Sequence, residues 1–159
     1  MNKPATPLIE INQDQVKNLL KYIDSSQNEP IKSSIFGQLG RECFCTRKID
    51  QWVASYHGDV QAILDWVNVQ HASTFWERLE FTEDRQTLIL TGRKVQRCAC
   101  ALADCPQPPQ SLCLYCCKSL QEEMFGMLLG QKVEVTITES SLLGGERCST
   151  MIHLVDEKQ

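Results

Sequence analysis

The sequence lacks long apolar runs, a basic cluster and a secretion signal. No stretch approaches the roughly 18 consecutive apolar residues that span a bilayer, and residues 1–15 lack the charged-then-apolar pattern of a signal peptide. Lys and Arg number 16 in 159 residues, and the formal net charge is −4. We therefore expect a cytoplasmic protein with no nucleic-acid partner and no membrane partner.

The sequence has only three histidines, but it has nine cysteines. An odd number of cysteines without an export signal makes a disulfide framework the weaker explanation. We expect reduced thiols that serve another purpose.

Hydrophobic periodicity predicts helices first and strands later. Apolar residues recur at helical spacing in four segments, with Asn12 and Asp59 as N-caps and Gly40 at the end of the second helix. From Trp76 the period changes to two. The predicted fold class is α+β: N-terminal helices followed by a mostly antiparallel sheet, with one long helix between its two hairpins.

The length predicts a single domain. With 42% hydrophobic residues, the chain can bury one core without covalent cross-links. We expect a flexible N-terminus over residues 1–11 and a single α+β domain over residues 12–156. Its helical part is predicted over residues 12–72, and its sheet and cysteine-rich part over residues 76–156.

Six cysteines crowd between positions 98 and 117 with the spacing C-x-C-x4-C-x7-C-x2-C-C. If residues 95–101 form a strand, Cys98 and Cys100 point to one face. On the long helix, Cys113 and Cys116 are three residues apart, a good chelating spacing, whereas the adjacent Cys117 cannot share their direction fully. Tetrahedral zinc is the first expectation for such thiolates, and an iron–sulfur cluster is a weaker one. The cluster comprises Cys98, Cys100, Cys105, Cys113, Cys116 and Cys117.

Two other uses of these cysteines stay open. Free cysteines also serve as small buried hydrophobes, which suits Cys43 and Cys45 best. A nucleophilic cysteine would need a base and a lowered thiol pKa.

The stretch from Gly130 to Cys148, GQKVEVTITESSLLGGERC, resembles the C-terminal signature of the 4-vinyl reductase family of hydrocarbon-binding domains. The resemblance implies a mixed α/β domain of the Golgi-transport ligand-binding type with an apolar cavity. In many members of this family zinc lies beside the cavity, and many are dimers. An uncharacterised bacterial cysteine-rich subgroup shows similar upstream features.

The resemblance also implies roles for single residues. Cys148 matches a metal-binding cysteine, and Cys113 lies within one position of another. Ser140 stands where zinc-binding members have a cysteine, so Cys98 and Cys100 are candidate replacements. The expected metal ligands come from Cys98, Cys100, Cys113, Cys116 and Cys148. The expected lining of the apolar pocket is Trp76, Phe81 and Phe125, since such sites are rich in aromatic groups.

The function expected from these observations is a non-catalytic sensor or carrier that holds zinc with cysteines and binds a small apolar or aromatic molecule. A closed four-thiolate site leaves no position for a reacting water. The alternatives are a cysteine-dependent small-molecule hydrolase and an iron–sulfur or redox protein. A homodimer is expected from the family resemblance.

Overall fold

The computed structural model describes residues 12–56, 58–71 and 73–155. The expected flexible N-terminus over residues 1–11 and the expected domain end at residue 156 lie outside the described residues. The predicted α+β class is confirmed: helices come first, and a long helix separates two antiparallel hairpins.

The described residues form five α-helices and one π-helical turn. They are α1 (Gln13–Asp24), α2 (Glu29–Thr46), α3 (Ile49–Ala54), α4 (Val60–Asn68) and α5 (Lys118–Leu129), the last preceded directly by the π-helical turn Leu112–Cys117.

The sheet has four antiparallel strands in the order β1-β2-β4-β3. The two sequence-adjacent hairpins therefore meet through their second strands, and the two first strands lie at the edges. The strands are β1 (Trp76–Phe81), β2 (Thr87–Gly92), β3 (Val133–Glu139) and β4 (Ser149–Leu154).

The main core lies between one face of the sheet and the helices. Alternate strand residues point to this face because side chains in a strand repeat every two residues. Helix α5 packs across it with Met124, Phe125 and Leu128. The buried strand residues are Leu79, Leu88, Leu90, Val133, Val135 and Ile152.

Local sequence explains where several helices begin and end. Asn12 caps α1, where its side chain accepts a hydrogen bond from Gln15 N and the Gln15 side chain accepts one from Asn12 N. Asp59 caps α4 in the same way through Ala62 N. Gly130 ends α5 at a φ of 67°, a left-handed conformation that glycine adopts readily.

Helix α2 does not end at Gly40, so that prediction is wrong. The helix continues to Thr46. A Cβ built on Gly40 would lie 2.2 Å from the carbonyl oxygen of Cys116. The glycine is therefore explained by a close approach between α2 and the π-helical turn, and not by a helix end.

One connection also differs from the prediction. Residues 95–101 form no strand and belong to an irregular loop, residues 93–110, called here the cysteine-rich loop. The chain between β3 and β4 is a structured connection with a 3-10 turn at Ser141–Leu143, and only Gly144 adopts a left-handed φ, of 97°. Over the described residues, no helix is long and apolar enough to cross a membrane.

Candidate functional site

Five cysteines from three separate parts of the chain line one small cavity. Cys98 and Cys100 come from the cysteine-rich loop, Cys113 and Cys117 from the π-helical turn, and Cys148 from the residue before β4. The remaining lining is Leu112, Gln121, Ile137, Glu139, Leu142 and Thr150. We call this cavity of about 30 Å³ the cysteine pocket.

The π-helical turn determines which helix cysteines reach the pocket. A π-helix closes its hydrogen bonds between residues five apart, so its turn is wider than that of an α-helix. Residues four apart, such as Cys113 and Cys117, then lie nearly above one another. Cys116 falls on a different side.

Cys116 is buried in a second apolar cluster with Leu20, Phe36 and Leu112. Cys116 does not line the cysteine pocket, although it was predicted as a metal ligand from its helical spacing to Cys113. Cys117 lines the pocket in its place. Sequence reasoning missed this exchange because nothing in the local composition distinguishes a π-helical turn from an α-helical one.

Helix α1 holds the cysteine-rich loop in place through one face. Lys17 Nζ donates to the carbonyl oxygen of Asp104 at 3.0 Å, and Lys21 Nζ donates to that of Pro106 at 2.5 Å. The Asp24 carboxylate accepts from Gln110 N at 3.0 Å and from Ser111 N at 3.1 Å. Asp24, at the end of α1, thus caps the start of the π-helical turn that carries Cys113, although the two are distant in sequence.

Replacing Asp24 with alanine should lower the free energy of unfolding by about 1–2 kcal/mol, because helix N–H groups lose their acceptor. Urea denaturation measures the change. Asp24→Asn keeps one side-chain acceptor and is expected to lose less. Equal losses in the two variants would contradict the capping role.

The connection between β3 and β4 is held by its own hydrogen bonds. Glu139 Oε1 accepts from Glu146 N at 2.9 Å and from Arg147 N at 3.2 Å. The carbonyl oxygen of Ser140 accepts from Leu143 N and Gly145 N. Glu139 thus lines the pocket while it fixes this connection.

Two serines of this connection contact pocket cysteines. Cys113 Sγ donates to Ser140 Oγ at 3.0 Å, and Ser141 Oγ lies 3.3 Å from Cys148 Sγ. On the loop side, Cys100 N donates to Cys98 Sγ at 3.5 Å. Ser140 therefore forms a hydrogen bond with Cys113, a candidate metal ligand, and is not a candidate ligand itself.

Burial disfavours the charged form of these thiols. It raises the pKa of Cys98, Cys113 and Cys117 above the usual thiol value, and neighbouring cysteines add to the effect. Burial raises the pKa of Cys116 to about 12. These four thiols are protonated at neutral pH and thus weak nucleophiles without a metal.

Neither of the described histidines assists the pocket thiols. His71 lies at an open cleft, and His153 Nδ1 pairs with Thr87 Oγ1 at 3.1 Å on the sheet. His57 is outside the described residues. A cysteine nucleophile with a histidine base thus finds no support in the described part of the chain.

Two of the three expected pocket aromatics, Trp76 and Phe125, lie in a cluster of packed rings. Trp76 stacks on Phe125 at a centroid distance of 6.1 Å, and it meets Trp52 and Trp66 edge-on. Phe81 lies under the guanidinium of Arg85 at 5.1 Å. Neither described cavity is lined by Trp76, Phe81 or Phe125, and their ligand-binding role stays a prediction.

The donor atoms suit a thiophilic metal ion, although they are not yet arranged around one. Across the described ranges, no three His, Cys, Asp or Glu side chains already form a metal-binding group. The cysteine pocket nevertheless offers five sulfurs and space for about one water-sized particle.

Comparisons with known proteins show a fold and no family. No protein-family model and no curated protein matches the sequence. The structure is similar to trafficking protein particle complex subunit 3 from Naegleria fowleri, solved with palmitic acid bound covalently. That match has a TM-score of 0.50 and 12% identity, and it covers 92% of this chain and 97% of the other.

This result corrects the resemblance based on residues 130–148. The matching structure is a trafficking complex subunit and not a 4-vinyl reductase domain, and the sequence matches no family model. Assignment to the 4-vinyl reductase family was therefore wrong. At 12% identity, the similarity establishes the shared fold alone.

Proposed function

We propose that this chain binds a thiophilic metal ion, zinc in the first place, in the cysteine pocket. The observation that carries the proposal is the convergence of five cysteines on one cavity of about 30 Å³. Four of them would complete a tetrahedral thiolate site. Because the metal would tie the cysteine-rich loop to the long helix and the sheet, its role would be structural and not catalytic.

The pocket's chemistry favours a soft metal. Thiolate ligands select zinc, copper(I) and iron–sulfur clusters over hard cations. Raised thiol pKa values do not prevent binding, since a coordinated metal displaces the thiol protons. The raised pKa values of Cys98 and Cys113 argue against these two residues as the nucleophile of a cysteine-dependent hydrolase, which needs a thiol with a lowered pKa.

The test is metal content after anaerobic purification, compared between cysteine variants. We expect near-stoichiometric zinc in the wild-type protein and a loss of most of it in Cys113→Ala and Cys117→Ala. Cys116→Ala is the matched control, because its neighbour Cys117 lines the pocket and Cys116 does not. The exposed Cys45 gives a second control.

Four outcomes would contradict the zinc proposal or its choice of ligands. Wild-type protein without metal would exclude it, and equal metal content in all variants would place the metal elsewhere. Iron with visible absorption would favour the iron–sulfur alternative. If Cys116→Ala lost metal and Cys117→Ala kept it, the choice of ligands would be wrong.

We also propose an apolar ligand, with a fatty acyl chain as the first candidate. Its support is the fold shared with a protein that carries covalently bound palmitic acid. The cysteine pocket is far below the roughly 300–1,000 Å³ of typical ligand cavities. Binding there would require the cysteine-rich loop to move. An open cleft of about 570 Å³ lined by Glu77, Arg78 and Arg147 is too charged for such a ligand.

Fatty-acid binding should therefore compete with metal binding. We expect palmitic acid to bind more weakly to zinc-loaded protein than to zinc-free protein, with calorimetry measuring both affinities. Equal binding in both states would place the acyl chain outside the cysteine pocket, and no binding in either would remove the proposal.

The homodimer is retained as a proposal. Helix α1 exposes two apolar side chains, Leu19 at 58% and Tyr22 at 78%, which a second copy would cover. Light scattering that gives twice the chain mass would support the dimer, and a monomer mass would contradict it.

A further inference from the structure

We infer that the connection between β3 and β4 positions two metal-bound sulfurs by hydrogen bonds from Ser140 and Ser141. The inference rests on the proposed metal site. Ser140 contacts Cys113 from the helix side, and Ser141 contacts Cys148 from the sheet side. One short segment thus contacts two candidate ligands that are 35 residues apart in sequence.

Ser140 is suited to donate to a sulfur that has lost its proton. Its Oγ accepts from Cys113 Sγ at 3.0 Å and from Leu142 N at 3.1 Å. A hydroxyl has one hydrogen to donate besides two acceptor sites. If a metal ion bound Cys113 Sγ, the thiol proton would be released to solvent, and the Ser140 hydroxyl could turn and donate to the sulfur. The contact would then be kept with its direction reversed.

Burial makes this contact effective. Ser140 is 4% exposed and Cys113 is 6% exposed, and a hydrogen bond is stronger away from water. A site with four thiolates and one zinc carries excess negative charge, and the pocket lining includes no Lys or Arg. Donors to the sulfurs disperse that charge. Groups that hydrogen-bond to metal ligands commonly contribute about 10- to 100-fold to metal affinity.

The backbone keeps both hydroxyls in place before any metal binds. Glu139 fixes the far end of the connection through Glu146 N and Arg147 N. A Cβ on Gly145 would lie 2.6 Å from Cγ of Glu139, so the connection closes tightly on this carboxylate. Little rearrangement is needed at Ser140 and Ser141, in contrast to the cysteine-rich loop.

The test compares zinc affinity, by competition with a chromophoric chelator, in wild-type protein and serine variants. We expect the double variant Ser140→Ala/Ser141→Ala to bind zinc about 10- to 100-fold more weakly. Ser149→Ala is the matched control, because its buried hydroxyl has no hydrogen-bond partner. Its zinc affinity should equal that of the wild type.

Cobalt(II) in place of zinc gives a readout that a purely structural role would not move. We expect the thiolate-to-cobalt absorption band to shift in the double variant and to stay unchanged in Ser149→Ala. Ser141→Ala alone covers the case in which the double variant fails to fold, since it leaves the bond between Ser140 and Leu142 N intact. It should show a smaller shift of the same sign.

The outcomes separate the two proposals. Wild-type protein that binds no metal overturns the metal site and this inference together. Metal binding through the pocket cysteines, with the same affinity and cobalt spectrum in all serine variants, overturns this inference alone. An equal affinity loss in Ser149→Ala and in the double variant does so too, because it would reflect packing instead of hydrogen bonding.

Discussion

Replacing Phe125 with alanine should lower the free energy of unfolding by about 3–5 kcal/mol, the range for a fully buried phenylalanine. Phe125 has no exposed surface and lies in the centre of α5 against the sheet. Its ring stacks on Trp76, and the truncation would leave that indole only its edge-on contacts with Trp52 and Trp66. Urea denaturation with a fixed m-value measures the loss.

The same measurement bears on the expected apolar pocket. Phe81 is the matched control, since it is a partly exposed aromatic residue of the same predicted set. Phe81→Ala should cost clearly less than Phe125→Ala. If Phe125→Ala cost under about 1 kcal/mol, well below the range for a core site, the residue would line a space that is already open. That outcome would support the predicted ligand-binding role of Phe125.

Local signals predicted the fold class well, because its elements are specified by local chemistry. Asn12 and Asp59 cap helices through side-chain oxygens, and Gly130 ends α5 in a left-handed conformation. Residues 133–138 alternate apolar and polar types and form the expected strand. Each of these features depends on neighbours within about four residues, the range of helix and strand periodicity.

The cysteines that line the pocket were predicted only in part, because their placement depends on contacts between residues distant in sequence. The crowding of cysteines indicated Cys98, Cys100 and Cys113, and the family resemblance added Cys148; all four line the pocket. The exchange of Cys116 for Cys117 follows from a π-helical turn. That turn lies against α2. The hydrophobic periodicity of the local sequence does not reveal this contact.

The contact between Ser140 and Cys113 was missed for a related reason. A serine after a strand is common at a turn or helix cap, and Ser140 does cap the following 3-10 turn through Leu142 N. Its second contact, with Cys113, joins residues 27 apart. Only the packing of α5 on β3 creates it, so no sequence motif would have revealed it.

Gly40→Ala should lower the free energy of unfolding by about 1–3 kcal/mol, the usual cost of overpacking. The new Cβ would lie 2.2 Å from the oxygen of Cys116 and 3.1 Å from Leu120 N. Both are backbone atoms, so no side-chain rotation relieves the clash. The helix must move away, and the π-helical turn moves with it.

Gly37→Ala is the control on the same helix, one turn earlier. Its Cβ would meet Ser119 Oγ at 3.2 Å, a side chain that rotates away. Alanine is favoured over glycine in a helix by about 1 kcal/mol, so this variant should be as stable as the wild type or more stable.

Zinc affinity measured on the same two variants tests whether Gly40 affects the cysteine pocket. Gly40→Ala should weaken zinc binding because the π-helical turn carries both Cys113 and Cys117, whereas Gly37→Ala should not. Equal stability and equal zinc affinity in both variants would mean that α2 does not constrain the turn. The selection of Cys117 over Cys116 would then need another cause.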